Sequence, residues 1–522
     1  MIGTKNFILG NSVDDFAKGA SFRNGKFHTK LIGELWIDYI MTNLNLAAKK
    51  GMFWSLTENL SKQGIHFIIG IILARLLSPS DFGLIGMCAV LIALGTTFVD
   101  SGFGIALIRK KDCTDMDYNT VFYYNLVVSG FFYIILFFTA PLVSRFFNQP
   151  QLIAIIRVLG LVIIIGAFSI IQRTILTKEI NFKLQTKITI LTMVISGAIG
   201  ISCAFLGFGV WSLIIQSIAS SFLGVCFLWI FNHWRPILVF SWKSFRELFA
   251  FGSNLLITDL VETLYRNVYY VVIGRFFSPA SLGFFTRAET TVSLVTNNIV
   301  NTVKRVSYPI LANLQDDDVK LKSMYRKLVK NTMLVCCTLI FGMAAVAEPL
   351  IVVLIGEKWL PSVSNIQLLC FAGVFLPLTI FNLNGINVKG RSKLYLKLQL
   401  TNKFLAIPVI IVGIFYGITP MLIGFIVVAV LYYMVNVHFS AKIINYPMKE
   451  QLKDIAPFFL ISGIISTAVY GVNFLNMEYW IKLVFQILSG GILTILIYNL
   501  LRLPEYMNLQ KQVLSIIHYR IK

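Results

Sequence analysis

Fourteen apolar stretches, each long enough to cross a bilayer and joined by short polar connectors, decide what this chain can fold into. A hydrocarbon core of ~30 Å takes roughly 20 residues of helix. Windows of that kind fall near residues 54–77, 83–107, 119–141, 152–176, 187–207, 210–231, 248–273, 282–303, 325–347, 362–386, 396–416, 418–440, 456–476 and 479–501. A soluble protein can hide one or two such helices in its core, but not fourteen in series. Within lipid each segment must satisfy its own backbone hydrogen bonds, which selects helix. The expected fold class is therefore all-α, a polytopic membrane protein of about fourteen transmembrane helices. The balance of 57% apolar and 13% charged residues over 522 positions fits that solvent.

The 45 Lys and Arg against 24 Asp and Glu give +21, which in a soluble chain would raise nucleic-acid binding. Here the charge is sorted by connector. One side collects the N-terminal segment, Arg109 to Lys111, Lys178, Lys183 and Lys187, Arg235 to Arg246, Lys304 to Lys330, Lys389 to Lys397, Lys442 to Lys453 and the C-terminal tail. The other side holds only Arg75, Arg145, Arg157, Arg275, Arg287, Lys358 and Lys482. Cytoplasmic loops carry the basic excess, so both termini are expected in the cytoplasm, and no nucleic-acid partner is expected. The first 40 or so residues lack the apolar core of a secretory signal, read as a disordered extension, and make Met41 a natural start. The seven cysteines form no C-x-x-C pair and no zinc spacing, so they read as small buried hydrophobes, with no metal or cofactor site.

A repeat runs through the apolar series. The first connector reads Arg75-Leu-Leu-Ser78-Pro79-Ser-Asp-Phe-Gly83, and the one after the seventh span reads Arg275-Phe-Phe-Ser278-Pro279-Ala-Ser-Leu-Gly283, matching as R-h-h-S-P-x-x-h-G at an offset of 200. Locally each tip is good turn chemistry, since Ser-Pro ends one helix, proline fixes φ for the turn, and glycine permits close approach as the next helix begins. That does not explain why the same tip recurs. Six spans separate the copies, so both lie on the same side of the membrane and the halves are parallel repeats.

The run from Phe53-Trp54-Ser55 through Gln63-Gly64, then Ile72 to Gly83, then Phe98-Val99-Asp100-Ser101-Gly102-Phe103-Gly104 to Ile108 resembles the opening of bacterial polysaccharide flippases of the O-antigen, colanic-acid and capsule type, within the multidrug/oligosaccharidyl-lipid/polysaccharide exporter superfamily. The resemblance covers nearly the whole chain from about residue 50. It implies two six-helix lobes plus two C-terminal accessory helices, residence in the bacterial inner membrane, and alternating access driven by an ion gradient. The implied substrate and partner is a lipid-linked oligosaccharide on polyprenyl pyrophosphate, in contact with membrane lipid, with glycan polymerase machinery as a further candidate partner. The domain boundaries expected on this reading are an N-terminal extension at 1–50, an N-lobe at 51–232, an interfacial linker at 233–247, a C-lobe at 248–441, and accessory helices with a tail at 442–522.

Ionisable groups within spans cost several kcal/mol and usually face a cavity. Helix 1 carries Glu58, Lys62 and His66 on one face; helix 7 carries Asp259, Glu262 and Arg266 on one face. Asp100 ends helix 2, and Arg287 and Glu289 open helix 8. These nine are the substrate-cavity candidates, expected between helices 1, 2, 7 and 8, with Arg266 or Arg287 as a pyrophosphate ligand. Glu262 or Asp259 is the candidate for exchanging a proton or sodium ion. The competing reading is that Glu58 with Lys62, and Glu262 with Arg266, neutralise each other at i,i+4, and that His66 is a packing residue. Asp115, Asp117 and the run Asp316 to Asp318 read as loop and cap residues, not as a nucleotide-sugar site.

No G-x-x-x-x-G-K-S/T loop occurs, so nucleotide hydrolysis is disfavoured. A glycan polymerase or ligase would need a long outer loop with catalytic residues, whereas the longest outer connector is about 348–361. No catalytic residue and no enzymatic activity are expected. The alternative within transport is a cation-coupled drug exporter of the same superfamily.

Overall fold

In the computed structural model, which describes residues 54, 55 and 57–511, the chain is helical almost throughout, with no strand among those residues. The proposed start at Met41 and the 1–50 extension lie outside the described residues. Fourteen long helical segments follow in order: α1 (57–76), α2 (Pro79–Arg109), α3 (Asp115–Phe147), α4 (Leu152–Lys178), α5 (Phe182–Phe205), α6 (Val210–Phe231), α7 (Trp242–Phe276), α8 (Pro279–Ala312), α9 (Asp318–Ala345), α10 (Ser362–Val388), α11 (Ser392–Tyr416), α12 (Ile418–Ile444), α13 (Met448–Phe474) and α14 (Tyr479–Leu500). Eleven of them are long and apolar enough to cross a membrane. The other three are α1, α7 and α8, whose ionisable groups lower their hydropathy; α7 and α8 are also the longest, at 35 and 34 residues.

The sequence sets the helix ends. Ser78 caps α2 in a capping box with Asp81, and Ser278 caps α8 through the Ser281 N–H, each with proline in the first helical position, where its missing donor costs nothing. Thr114 and Asp117 form the same box at the start of α3, and Asp317 caps α9 by accepting from Lys320 N, so these aspartates are caps. α2 is broken at Ser101 and Gly102, both left-handed at φ 45° and 70°. A methyl group on Gly102 would lie 2.8 Å from the Gly252 carbonyl oxygen of α7, so this glycine serves a close backbone approach.

α2 is the central strut. It packs most extensively on α8 and α7, and then on α3 and α4 of its own half. α7 in turn packs more on α2 and α3 than on any helix of its own repeat. Its first turns are tied there: Ser244 Oγ donates to Asp117 at 2.6 Å, Lys110 bridges Asp117 and Glu247 at 3.1 and 3.2 Å, and Phe103 packs against Phe245 and Phe249. Burial alone would lower the Lys110 pKa; the hydrogen bonds to Asp117 and Glu247 outweigh it and hold the ammonium above the ordinary lysine value. The connector before α7 is pinned as well, with Asn119 Oδ1 accepting from Ile237 N at 2.7 Å and Thr120 Oγ1 from Ser241 N at 3.0 Å.

α13 and α14 dock beside α9. Arg326 grips Asp454 with two nitrogens, Tyr446 Oη donates to the same carboxylate at 2.7 Å, and Lys330 reaches Glu505 at 2.8 Å. Large apolar side chains such as Val127, Phe138, Leu460 and Leu488 stay exposed on the bundle exterior. In water such a belt would be an association surface; in lipid it is the expected outer face. All seven cysteines are free, with Cys88, Cys336, Cys337 and Cys370 buried.

Candidate functional site

The polar face of α7 meets α2 and α4 around a cavity of about 720 Å³. α7 supplies Asp259, Glu262, Thr263 and Arg266, which its periodicity stacks on one side; α2 supplies Thr96, Thr97 and Asp100 just before its break; α4 supplies Ser169, Arg173 and Thr174. Thr97 and Thr263 hydroxyls lie 3.2 Å apart across the seam of the two halves. Lys403 of α11 pairs with Glu262 at 2.8 Å. Three carboxylates thus stand against two guanidiniums and one ammonium, with Lys403 already committed. Arg173 and Arg266 are the cations that line the cavity, suited to phosphate oxygens by their planar fork of donors. Among the described residues no cluster of His, Cys, Asp and Glu could hold a metal ion.

The structure therefore brings Asp100, Asp259, Glu262 and Arg266 together; Glu58 stands outside the lining but close enough to Arg173 to act on its charge, and the remaining candidates lie elsewhere. No α1 residue lines this cavity. Glu58 turns toward α5 and accepts from Thr189 Oγ1 at 3.1 Å, and Lys62 and His66 are exposed further along the same helix. Glu289 lines a second cavity of about 470 Å³ inside the C-terminal half, where it accepts from Tyr270 Oη at 2.5 Å. Arg266 lines both cavities.

Arg287 belongs to a different structure, the closed end of the bundle where the two Ser-Pro tips meet. Its guanidinium lies 4.7 Å from the Phe82 ring centroid and 5.4 Å from that of Trp359, and Nη2 donates to Gly70 O at 3.2 Å. Around it the halves exchange helix caps. Lys358 Nζ donates to Arg75 O and Leu77 O, each at 2.7 Å, and Trp359 Nε1 donates to Ala74 O at 2.9 Å, so the C-terminal half satisfies the last carbonyls of α1. In return Arg75 donates to Leu354 O at 2.6 Å and to Val353 O, capping the short helix Ala347–Ile355. The repeat partner Arg275 makes the mirrored reach: it lies over Phe146 at 5.3 Å and donates to the Asn148 side-chain oxygen at 3.1 Å with that amide suitably turned.

Sequence reasoning does not single out Arg173 or Lys403. Nothing in its sequence neighbourhood marks Arg173, which sits five residues before Lys178; it takes the fold to put it and Arg266 on the walls of one cavity. The signal available was its place within the apolar window 152–176, since an arginine inside such a window is itself costly.

A bundle of apolar helices built as two halves, with a charged cavity on their seam and one end sealed by the halves' own tips, is a multi-pass membrane transporter. Solved structures share this fold. Superposition on a chain described as lipid II flippase MurJ in an inward closed conformation gives a TM-score of 0.68 at 16% identity, covering 87% of this chain and 100% of that one. An inward-facing multidrug resistance MATE family transporter of the MOP superfamily gives 0.56 at 16% identity, over 73% and 95%. The chain belongs to the polysaccharide biosynthesis protein family, whose model matches residues 72–364. Curated relatives include the teichuronic acid biosynthesis protein TuaB of Bacillus subtilis, 27% identical over 298 residues, and the lipopolysaccharide biosynthesis protein WzxC of Escherichia coli, 24% identical over 392 residues. The matches cover 57% of this chain and 62% of TuaB, and 73% and 78% for WzxC.

Proposed function

We propose that this chain flips a polyprenyl-pyrophosphate-linked oligosaccharide from the inner to the outer leaflet of the bacterial inner membrane, with both termini cytoplasmic, and that it acts as a transporter without enzymatic activity. The observation that carries this reading is the cavity shared by α2, α4 and α7, in which Arg173 and Arg266 face space large enough for a ligand headgroup. The pyrophosphate pairs with the two guanidiniums while the polyprenyl tail stays in lipid, where it costs nothing to solvate. The sealed tip end faces outward in this state. Transport exchanges that seal for one at the basic end, so the Lys358, Trp359 and Arg75 caps break in every cycle and re-form on return. The relatives' names, in teichuronic acid and lipopolysaccharide biosynthesis, support a glycan cargo over a drug.

Deletion of the gene followed by mass analysis of membrane lipids tests the proposal. Complete repeat units on polyprenyl pyrophosphate, confined to the inner leaflet, are the expected product. Flipped but unpolymerised units would point to a polymerase, and an unchanged lipid pool with altered drug sensitivity would point to the drug-exporter alternative.

A further inference from the structure

The second cavity has no task in phosphate binding, yet it is as deliberately built as the first. Its walls come from α7, α8, α10 and α12, and it shares Arg266 with the central cavity. Beside aliphatic side chains such as Leu369, Leu376 and Val428, its lining has two further kinds of surface. One is aromatic: Tyr265 and Tyr432 are joined by a 2.9 Å hydrogen bond, and Tyr269 meets Phe425 edge to face at 4.5 Å. The other is a row of acceptors on α8. Thr290 and Ser293 donate their hydroxyl protons to carbonyls of their own helix, at 2.7 and 2.9 Å, which leaves oxygen lone pairs toward the cavity beside the Glu289 carboxylate.

This wall chemistry selects its ligand. A polyprenyl chain would lay hydrocarbon against the Glu289 carboxylate and leave the spare lone pairs of Thr290 and Ser293 unused. An anion would meet Glu289. An organic cation would meet the Arg266 guanidinium on the common wall. A neutral ligand that is rich in hydroxyl donors and has apolar faces meets every surface: its hydroxyls donate to Glu289, Thr290 and Ser293, and its carbon faces lie on the tyrosine rings. That description is a sugar. We infer that the second cavity is a glycan subsite, holding the sugars next to the pyrophosphate while Arg266, on the common wall, holds the phosphate itself. The inference rests on the flippase reading and adds to it where in the protein the glycan is recognised.

The test uses the full-length protein in lipid nanodiscs and two probes: undecaprenyl pyrophosphate without sugar, and the sugar-bearing lipid extracted from membranes of the deletion strain. Wild type should bind the sugar-bearing probe at least about tenfold more tightly. Glu289→Gln and Tyr432→Leu should each erase most of that difference while leaving affinity for undecaprenyl pyrophosphate within about twofold; Arg266→Gln should weaken both probes. Equal affinity of wild type for the two probes overturns the glycan subsite and leaves the flippase reading standing. Equal losses on both probes in Glu289→Gln and Tyr432→Leu, with unchanged melting temperatures, also overturn it. Failure of wild type to bind either probe defeats the flippase reading together with this inference.

Discussion

Gly83 lies against the backbone of Pro279, and Gly283 lies against the backbone of Pro79, in the same geometry. A methyl group on either glycine would overlap the facing proline carbonyl oxygen. The glycine that closes each copy of the repeated tip is thus the surface on which the other copy rests, which explains why the two tips are alike.

Gly83→Ala should force this end apart. Backbone cannot yield as a flexible side chain does, so the sealed state should lose about 1–3 kcal/mol, the ordinary cost of overpacking. The check is a cysteine placed at Thr96 in the central cavity: labelling by a membrane-impermeant maleimide from outside the cell should rise severalfold in Gly83→Ala and in Gly283→Ala.

Removal of one strap should act in the same direction with less force. Lys358→Met deletes two hydrogen bonds to the end of α1 from a solvent-accessible side chain, worth about 0.5–1.5 kcal/mol in all. Burial lowers the Lys358 pKa below its ordinary value, and the Asp81 carboxylate offsets only part of this. With the strap released, the group returns to an ordinary pKa of ~10.4. Between the lowered value and that one the open state binds more protons, so raising the pH should favour the sealed state. Outside labelling at Thr96→Cys should fall across that alkaline window in wild type and stay flat in Lys358→Met.

The arginines should separate by role. Arg266→Glu and Arg173→Glu should each abolish surface glycan with little change in melting temperature, since both line the cavity. Arg287→Met should instead lower the melting temperature, because it empties the slot between Phe82 and Trp359, and should leave binding of undecaprenyl pyrophosphate unchanged.

Asp454→Ala should loosen the accessory pair. It removes a carboxylate that is 5% exposed and leaves Arg326, Lys330 and the buried Tyr446 hydroxyl without their common acceptor. Because Arg326 is half-exposed and Lys330 keeps Glu505, the cost is mainly that of the stranded Tyr446 hydroxyl, about 1–3 kcal/mol. Faster hydrogen exchange in α13 than in α3 is the expected readout.

Much of the fold was legible because lipid is a strict solvent. A twenty-residue apolar window has few meanings, so α3, α4, α6 and α14 stand out in the sequence, and a charge within such a window is conspicuous enough to mark Asp259, Glu262 and Arg266. The serine-proline-glycine tips were legible as a repeat, but their mutual contact was not, since it depends on how two distant turns meet. The α1 stripe shows the limit of periodicity: it places Glu58, Lys62 and His66 on one face without saying which neighbour that face meets, and Glu58 meets Thr189. Arg173 lies near the end of the 152–176 window, and nothing in the sequence says which helices that end meets. The break in α2 at Ser101 and Gly102 also went unseen, because the apolar window 83–107 runs through it and outweighs the Ser-Gly turn signal.

Arg75 and Arg275 each hold a connector belonging to the opposite half. A door fastened on both sides by bolts set in the facing leaf does not swing from one edge. While either arginine stays seated it keeps the far connector near the other, so letting go of one gains little mobility and letting go of both gains all of it. Release at this end should therefore be concerted, with half-open forms scarcely populated, and the membrane would be protected from leakage during turnover by the rarity of any state in which the passage is partly unsealed.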